Sequence, residues 1–380
     1  MNEMLLAISI TAFVAWVYLI GFRGSFWGSA QVLPVCFPSR AAKVAVVIPA
    51  RNEAASIERS LESLLRQDYA GELSVVLVDD GSADGTGTIA AALAQDARLK
   101  VVQGLPLEDG WSGKLWAIHQ GLAQAVVQAA DYVLLTDADV EHRPEHISTL
   151  VAKAEVEDLD LVSEMVRLRC ETLAERAFIP AFVFFFQMLY PFDWVASSAK
   201  RVAGAAGGTM LIRRATLDRI EGVARIRGRL IDDCALAREI QSTGGRLWLG
   251  HSELAASQRV CANWRDVGNM IARTAYEQLD HSPWILLGCV VGMTVLYGVP
   301  PVLAVLAKGL PRGLGLLTWG MMAGAYQPTL RRYRRSPLWG FALPGIGAFY
   351  LCATVISAIR FHAGRGGGWK DRVYPARPAV

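Results

Sequence analysis

At 380 residues with 53% apolar side chains and a mean hydropathy of +0.29, the chain is long enough for a substantial core and sits awkwardly with a purely soluble protein. A formal net charge of +3 is too small to point to nucleic acid, and the basic residues gather beside apolar segments, where anionic lipid is the simpler partner. Cys36, Cys170, Cys234, Cys261, Cys289 and Cys352 show no Cys-x-x-Cys spacing, which disfavours a disulfide framework or zinc module and fits a reducing compartment.

Met4 to Phe22 carries no charge and is about as long as a helix needs to cross a ~30 Å hydrocarbon layer. Its flank, Asn2-Glu3, has no basic residue and its apolar run outlasts a usual signal core, so residues 1–38 read as a retained membrane anchor. Val44 to Ile48 is then a short β-branched strand, followed by a helical pattern from Ser56 to Gln67 with Ile57, Leu61, Leu64 and Leu65 on one face. The alternation continues with strands at Leu73 to Val78, Lys100 to Val102, Tyr132 to Leu135 and Leu159 to Leu168, and helices near Thr86 to Gln95, Lys114 to Gln128 and Pro144 to Glu157. This order predicts an α/β fold on a Rossmann-like, mainly parallel, doubly wound sheet over residues 39–275.

Within that unit, Phe178 to Tyr190 holds more rings than one core helix usually hides, and Pro180 and Pro191 bracket a piece too short to span. The segment near 177–191 reads as an interfacial helix at the lipid surface, with a buried helix as the alternative. Over residues 276–380, the uncharged stretches Ser282 to Ala307, Gly313 to Leu330 and Ser336 to Ile359 read as membrane helices, the first kinked or ended at Pro300-Pro301. Arg331-Arg332-Tyr333-Arg334-Arg335 belongs on the cytoplasmic side, together with the polar unit. Three later crossings put Arg360, Arg365, Lys370, Arg372 and Arg377 outside, unless one C-terminal segment fails to cross, with Pro344-Gly345 as the candidate turn.

Acidic clusters stand where apolar strands stop. Val75-Val76-Leu77-Val78 runs into Asp79-Asp80-Gly81-Ser82, and Tyr132 to Thr136 runs into Asp137-Ala138-Asp139. Both sets emerge at C-terminal strand ends, where open α/β sheets bind ligands. Asp137 and Asp139 alternate along an extended stretch and face the same way, toward one hard divalent cation or the ribose-phosphate it holds, and buried like charges there are costly without a counter-ion. The first strand ends in Pro49-Ala50-Arg51-Asn52-Glu53, so two neighbouring strand ends offer carboxylates to ribose hydroxyls and a base edge. Gly110-Trp111-Ser112-Gly113-Lys114 opens a helix and brings backbone N–H groups and the Lys114 ammonium toward a phosphate. Gly207 and Gly208, after Gly204-Ala205-Ala206, either leave room for an acceptor or simply make a turn. In Ile231-Asp232-Asp233-Cys234-Ala235-Leu236-Ala237 a helix start needs only one acid, so the other projects into the cleft, where desolvation raises its basicity toward that of a general base.

The ordered set Pro-Ala-Arg-Asn-Glu, Asp-Asp-Gly-Ser, Gly-Lys, Asp-Ala-Asp, Gly-Gly, Asp-Asp resembles the inverting nucleotide-sugar glycosyltransferases of GT-A fold, the family that includes cellulose and hyaluronan synthases. More narrowly, Gly110 to Ala117, the Phe-rich stretch up to Gln187-Met188-Leu189-Tyr190-Pro191-Phe192 and Ile231 to Ala237 are similar to the bacterial hopanoid-associated glycosyltransferases. The resemblance implies donor binding by Pro49, Arg51, Glu53, Asp79 and Asp80, with Arg51, Glu53 and Asp80 on the nucleoside. It implies Lys114 on the diphosphate, Asp137 on the ribose or metal shell, Asp139 on Mg²⁺ or Mn²⁺, and Gly207 and Gly208 beside the acceptor. Asp233 matches the catalytic base, with Asp232 where many relatives have Glu. Met270-Ile271-Ala272-Arg273-Thr274 keeps only the arginine of the Gln-x-x-Arg-Trp of processive synthases, which speaks against polymer synthesis and leaves Arg273 for the diphosphate.

The expected protein is a metal-dependent inverting glycosyltransferase of the bacterial inner (cytoplasmic) membrane, its catalytic domain on the cytoplasmic side, that moves a sugar from a nucleotide sugar to a lipid, by resemblance a hopanoid. Polyprenyl phosphate or a carotenoid-like isoprenoid is the alternative acceptor. A non-catalytic nucleotide-sugar-binding or lipid-carrying membrane protein is the alternative of another class. A dinucleotide oxidoreductase is disfavoured because no Gly-x-Gly-x-x-Gly follows the first strand.

Overall fold

The computed structural model describes residues 2–28, 31–370 and 372–373, so Arg377 of the basic tail lies outside the described residues. One eight-stranded sheet organises the chain: β1 (Val44–Ala50), β2 (Leu73–Asp79), β3 (Leu99–Gln103), β4 (Tyr132–Thr136), β5 (Val140–His142), β6 (Leu161–Arg167), β7 (Thr209–Arg213) and β8 (Leu247–Ser257), in the order β3-β2-β1-β4-β7-β6-β8-β5. The β3-β2-β1-β4 half is parallel, and β1 is buried along its whole length, as a strand covered on both faces must be. Val47, Val76 and Leu135 pack on one face, Val46, Leu77 and Leu134 on the other. The other half is mixed: β7 is antiparallel to both β4 and β6, β5 is antiparallel to β8, and β6 and β8 are parallel. Neither β5 nor β8 is legible in the sequence pattern. β5 is three residues long, and β8 interrupts its apolar run with Gly250-His251-Ser252-Glu253.

The first helix, α1 (Asn2–Phe22), precedes the sheet; α2 (Gly113–Leu122), α3 (Leu173–Leu189), α4 (Asp232–Ser242) and α5 (Trp264–Ala272) flank it; α6 (Gly309–Arg332) and α7 (Leu343–His362) follow. Helix α3 runs through Pro180 rather than breaking there, and Phe184 and Phe185 are buried among Trp16, Tyr297, Tyr326 and Tyr350. The expectation of an interfacial helix is corrected for these rings, which fill the joint between the catalytic unit and the apolar helices. The helix starts on a capping box: Thr172 Oγ1 accepts from Glu175 N (3.1 Å), and the Glu175 carboxylate accepts from the backbone N–H groups of Glu171 (2.8 Å), Thr172 (2.9 Å) and Cys261 (2.8 Å), with Arg169 at 3.2 Å. That carboxylate ties α3 to the loop after β8.

Among the described residues, four segments are long and apolar enough to cross a membrane: Glu3–Phe22, Leu173–Val195, Pro283–Leu306 and Pro337–His362. Pro300-Pro301 does not end the third, because a π-helical turn at Thr294–Gly298 precedes the prolines and the helix continues to Leu306. Gly313 to Leu330 falls within α6, which packs along α1 but is not among those four. The last segment leaves and returns. Residues Pro337–Ala342 lie back along α6, where Gln327 Nε2 donates to Pro337 O (3.1 Å) and Trp319 Nε1 to Phe341 O (3.2 Å). Helix α7 then runs the other way, with Tyr350 Oη donating to Phe178 O (2.9 Å) and Arg360 to Asn269 Oδ1 (2.9 Å). Since Arg332 donates to Ser252 O (2.7 Å) and pairs with Glu253 (3.0 Å), both ends of the 337–362 segment meet the catalytic unit. Between the two alternatives left by the charges, this geometry is the one in which the chain turns next to Pro344 and brings Arg360 back to the sheet-bearing unit.

Replacing Glu175 by Ala leaves three backbone N–H groups and Arg169 without their acceptor. We expect a loss of about 2–4 kcal/mol, read as a lower thermal unfolding midpoint in detergent; an unchanged midpoint refutes the role of this carboxylate.

Candidate active site

The carboxyl ends of β1 and β4, the first turn of α2 and the start of α4 converge on one cavity of about 540 Å³. Pro49, Glu53, Lys114, Asp137, Asp139, Asp232 and Arg273 line it, so residues more than 200 positions apart in the chain meet as the motifs require. Lys114 is the hub. Ser112, extended before the first helical residue, sets it in the opening turn of α2, and its Nζ stands 2.9 Å from Asp137 Oδ1 and 3.1 Å from Asp232 Oδ2. Burial works against the ammonium, but Asp137 and Asp232, with Asp233 behind them, outweigh it and hold the proton well above the ordinary lysine range.

Asp233 is fixed from two sides, its Oδ2 accepting from Gly207 N (2.8 Å) and its Oδ1 from Cys234 N (2.7 Å). Burial, and then the neighbouring Asp232 charge, push its carboxyl up to about 6 in spite of Lys114. A Cβ on Gly207 would lie 3.2 Å from Asp233 Oδ2 and 3.5 Å from Lys114 Nζ, so this glycine keeps the space beside both groups open. At Gly208 a Cβ would meet Val166 at 2.9 Å, so the hydrogen side of this glycine is packed against β6.

Asp139 Oδ2 accepts from Ser257 Oγ (3.1 Å), and burial together with the Asp137 charge raises its carboxyl. At Asp139 burial and the Asp137 charge outweigh Arg259, Ser257 and Lys370, and a divalent cation would relieve that imbalance. No group of three His, Cys, Asp or Glu side chains capable of holding a metal occurs among the described residues. The donor set thus fits Mg²⁺ or Mn²⁺ that draws its other oxygens from a substrate diphosphate, not an all-protein cage.

At the ends of β1 and β2, the Asp80 carboxylate is buried, 3.8 Å from the Arg51 guanidinium and 2.7 Å from that of Arg372; burial raises its carboxyl, opposed by both arginines. Glu53 pairs with Lys370 and is likewise raised by burial. Asp79 Oδ1 accepts from the N–H (3.0 Å) and hydroxyl of Ser82 and closes the loop; Asp79, Asp80 and Arg51 all lie behind the cavity wall, and Glu53 is on it. Sequence reasoning also missed Arg229, Arg259, Arg365 and Lys370 on the cavity wall, loop residues with no periodic signature. It missed as well a buried polar chain under Asp137. Thr136 Oγ1 donates to Gly208 O (2.8 Å) and lies 3.1 Å from His142 Nε2; His142 Nδ1 meets His146 Nδ1 (2.8 Å), and His146 Nε2 meets Glu164 (2.8 Å). Burial drives His142 well below the ordinary histidine range and keeps it neutral, so this chain anchors the β4 tip to the Gly207-Gly208 loop.

The sheet order, the acidic tip of β4 and the cavity over the strand ends define an α/β fold of GT-A type. The solved mannosyltransferase PcManGT from Pyrobaculum calidifontis, in complex with GDP-Man and Mn²⁺, has the same fold, with a TM-score of 0.61 over 97% of this chain and 100% of that one at 21% identity. Residues 45–220 match the model of glycosyl transferase family 2. An undecaprenyl-phosphate 4-deoxy-4-formamido-L-arabinose transferase of Shewanella sediminis is 36% identical over 135 residues, 35% of this chain and 39% of that protein. Glycosyltransferase GlyG of Streptococcus pneumoniae is 29% identical over 120 residues, 31% and 37% of the two chains. The chain thus spans well under half the length of these curated relatives.

Removing the ammonium in Lys114→Met leaves Asp137 and Asp232 facing each other unpaired. The expected result is a destabilisation of about 2–4 kcal/mol that added Mn²⁺ partly reverses, measured as thermal midpoints in detergent with and without the ion.

Proposed function

We propose that this chain is a membrane-bound inverting glycosyltransferase, with residues 39–275 as its catalytic unit, that moves a sugar from a nucleotide-sugar donor to a lipid at the cytoplasmic face of the bacterial inner membrane. One observation carries the reading: on the wall of a single cavity Lys114 joins Asp137, beside Asp139, to Asp232, and the proton-avid Asp233 adjoins that pair from behind the wall. Held by Asp139 with Asp137, Mg²⁺ or Mn²⁺ would supply positive charge to the departing diphosphate. Lys114 adds a fixed cation that needs no rearrangement as that charge develops, and Arg273 lines the same space. Glu53, Asp80 and Arg51 bind the nucleoside. Asp232 stays tied to Lys114, while Asp233, oriented by the Gly207 N–H, takes the proton of the acceptor hydroxyl as its oxygen attacks the anomeric carbon opposite the nucleotide.

A second, apolar hollow of about 350 Å³ between α5 and α7, lined by Trp264, Phe349, Cys352, Ala353 and Ile356, shares Asn269 and Arg360 with the catalytic cavity. It supports a lipid acceptor whose apolar body lies there while its reactive end passes Arg360. By sequence resemblance the acceptor is a hopanoid. Polyprenyl phosphate is the second reading, favoured by the arginine at the junction and by the lipid phosphate in the names of several relatives. Mass spectrometry of lipids from cells with and without the gene separates them: a missing glycosylated hopanoid supports the first, a missing glycosylated polyprenyl phosphate the second, and no lipid difference argues against both.

Asp233→Asn is expected to lower kcat by about 10²–10⁴ while leaving nucleotide affinity nearly unchanged; full transfer by this variant refutes Asp233 as the base, and intact biological function without any measurable transfer by the wild type supports the non-catalytic alternative. The base must be ionised, and its proton affinity is raised, so kcat/KM should fall as the pH drops through about 6 rather than near the ordinary aspartate value. An acid limb near pH 4 contradicts the assignment.

A further inference from the structure

We infer that the segment following α7 is a self-ligand of the nucleoside side of the cavity, a basic strap that occupies the donor's carboxylates and must leave before the donor binds. The inference rests on the reading of Glu53 and Asp80 as donor residues. After His362 the chain turns back over the strand ends, and Arg365 to Lys370 form part of the cavity wall. Gly368–Trp369 pairs with Arg372–Val373 in a short antiparallel ribbon, which presents both basic side chains to the sheet. Lys370 pairs with Glu53 at the end of β1 and donates to Asn52 O (3.2 Å); Arg372 reaches the buried Asp80 at the end of β2 (2.7 Å). The two cations thus stand on the two carboxylates whose strand-end position suits them to ribose and base.

The way the strap is held marks it as displaceable. Among the described residues, none from 364 onward belongs to a buried apolar cluster, so its attachment is ionic. Its close approach depends on glycine: a Cβ on Gly367 would lie 2.0 Å from Leu230 Cδ1 and 2.9 Å from Arg273 O. Three consecutive glycines, Gly366 to Gly368, give the backbone freedom to peel away. A nucleoside offers hydroxyl and N–H donors to the same two carboxylates, so strap and donor exclude one another, and donor affinity is reduced by the fraction of molecules in which the strap is down.

The test uses full-length protein in detergent, with UDP and GDP in the presence of Mn²⁺ as probes. The Lys370→Ala/Arg372→Ala double variant should bind whichever nucleotide the wild type accepts about 3- to 10-fold more tightly, whereas Lys308→Ala, on the loop before α6, should not. Saturating nucleotide should also speed hydrogen exchange over 365–372 in the wild type. Equal or weaker binding by the double variant overturns the inference, as does slower exchange with nucleotide, which describes a lid closing over the donor. If neither chain binds UDP or GDP while both remain folded, the donor-site reading fails and the strap's role falls with it; binding equal in both chains removes the strap alone.

Discussion

The ammonium of Lys114 is the constraint on which the cavity depends. Asp137, Asp139 and Asp232 come from two separate elements into one low-dielectric hollow, with Asp233 directly behind Asp232, and like charges there repel far more than in water. A cation between Asp137 and Asp232 fastens the tip of β4 to the start of α4 and so joins the parallel half of the sheet to the helix that leads into β8. Arg273, Arg229, Arg259 and Arg365 stand on the same wall, so the acids of the hollow are faced by several cations, of which Lys114 is the one in direct contact with Asp137 and Asp232.

Adjacent residues receive opposite duties here. Asp232 and Asp233 differ by one position at the head of a helix, so their side chains diverge by about 100°. One turns to Lys114 and stays with its charge partner; the other turns to the Gly207 N–H and keeps a proton affinity near neutrality. Two carboxylates of the same kind are thus separated by environment into one held by an ammonium and one with a raised proton affinity, the difference the proposed base depends on.

What the sequence disclosed follows from the same physics. β1, β2 and β4 are buried runs that end at Glu53, Asp80 and Asp137 within a few residues, and a local pattern suffices to find such ends. Which of two adjacent acids takes which partner is not local: Asp79 and Asp80 look alike in the chain, and only the fold gives the first to Ser82 and the second to Arg51 and Arg372. β8 escaped because its middle is polar, and the Thr136–His142–His146–Glu164 chain escaped because buried polar residues imitate surface ones in composition. The contact of Lys370 with Asn52 spans 318 positions, a separation at which hydrophobic periodicity carries no signal.

The topology of the last apolar segment ties these parts together. Because residues 337–362 turn back, the Arg331–Arg335 run and the basic tail come to the same side as the catalytic unit, which reconciles the positive charges that a third full crossing would have split. The returning helix then does two things at once: its Phe349, Cys352, Ala353 and Ile356 line the apolar hollow, and its end, at Arg360, borders the cavity and launches the strap. A rigid helix shared by both approaches means that movement of α7 against α5 alters the junction at Asn269 and the reach of Lys370 together. The proposed catalytic cavity and the apolar hollow thus share one element, with Asn269 and Arg360 common to both linings.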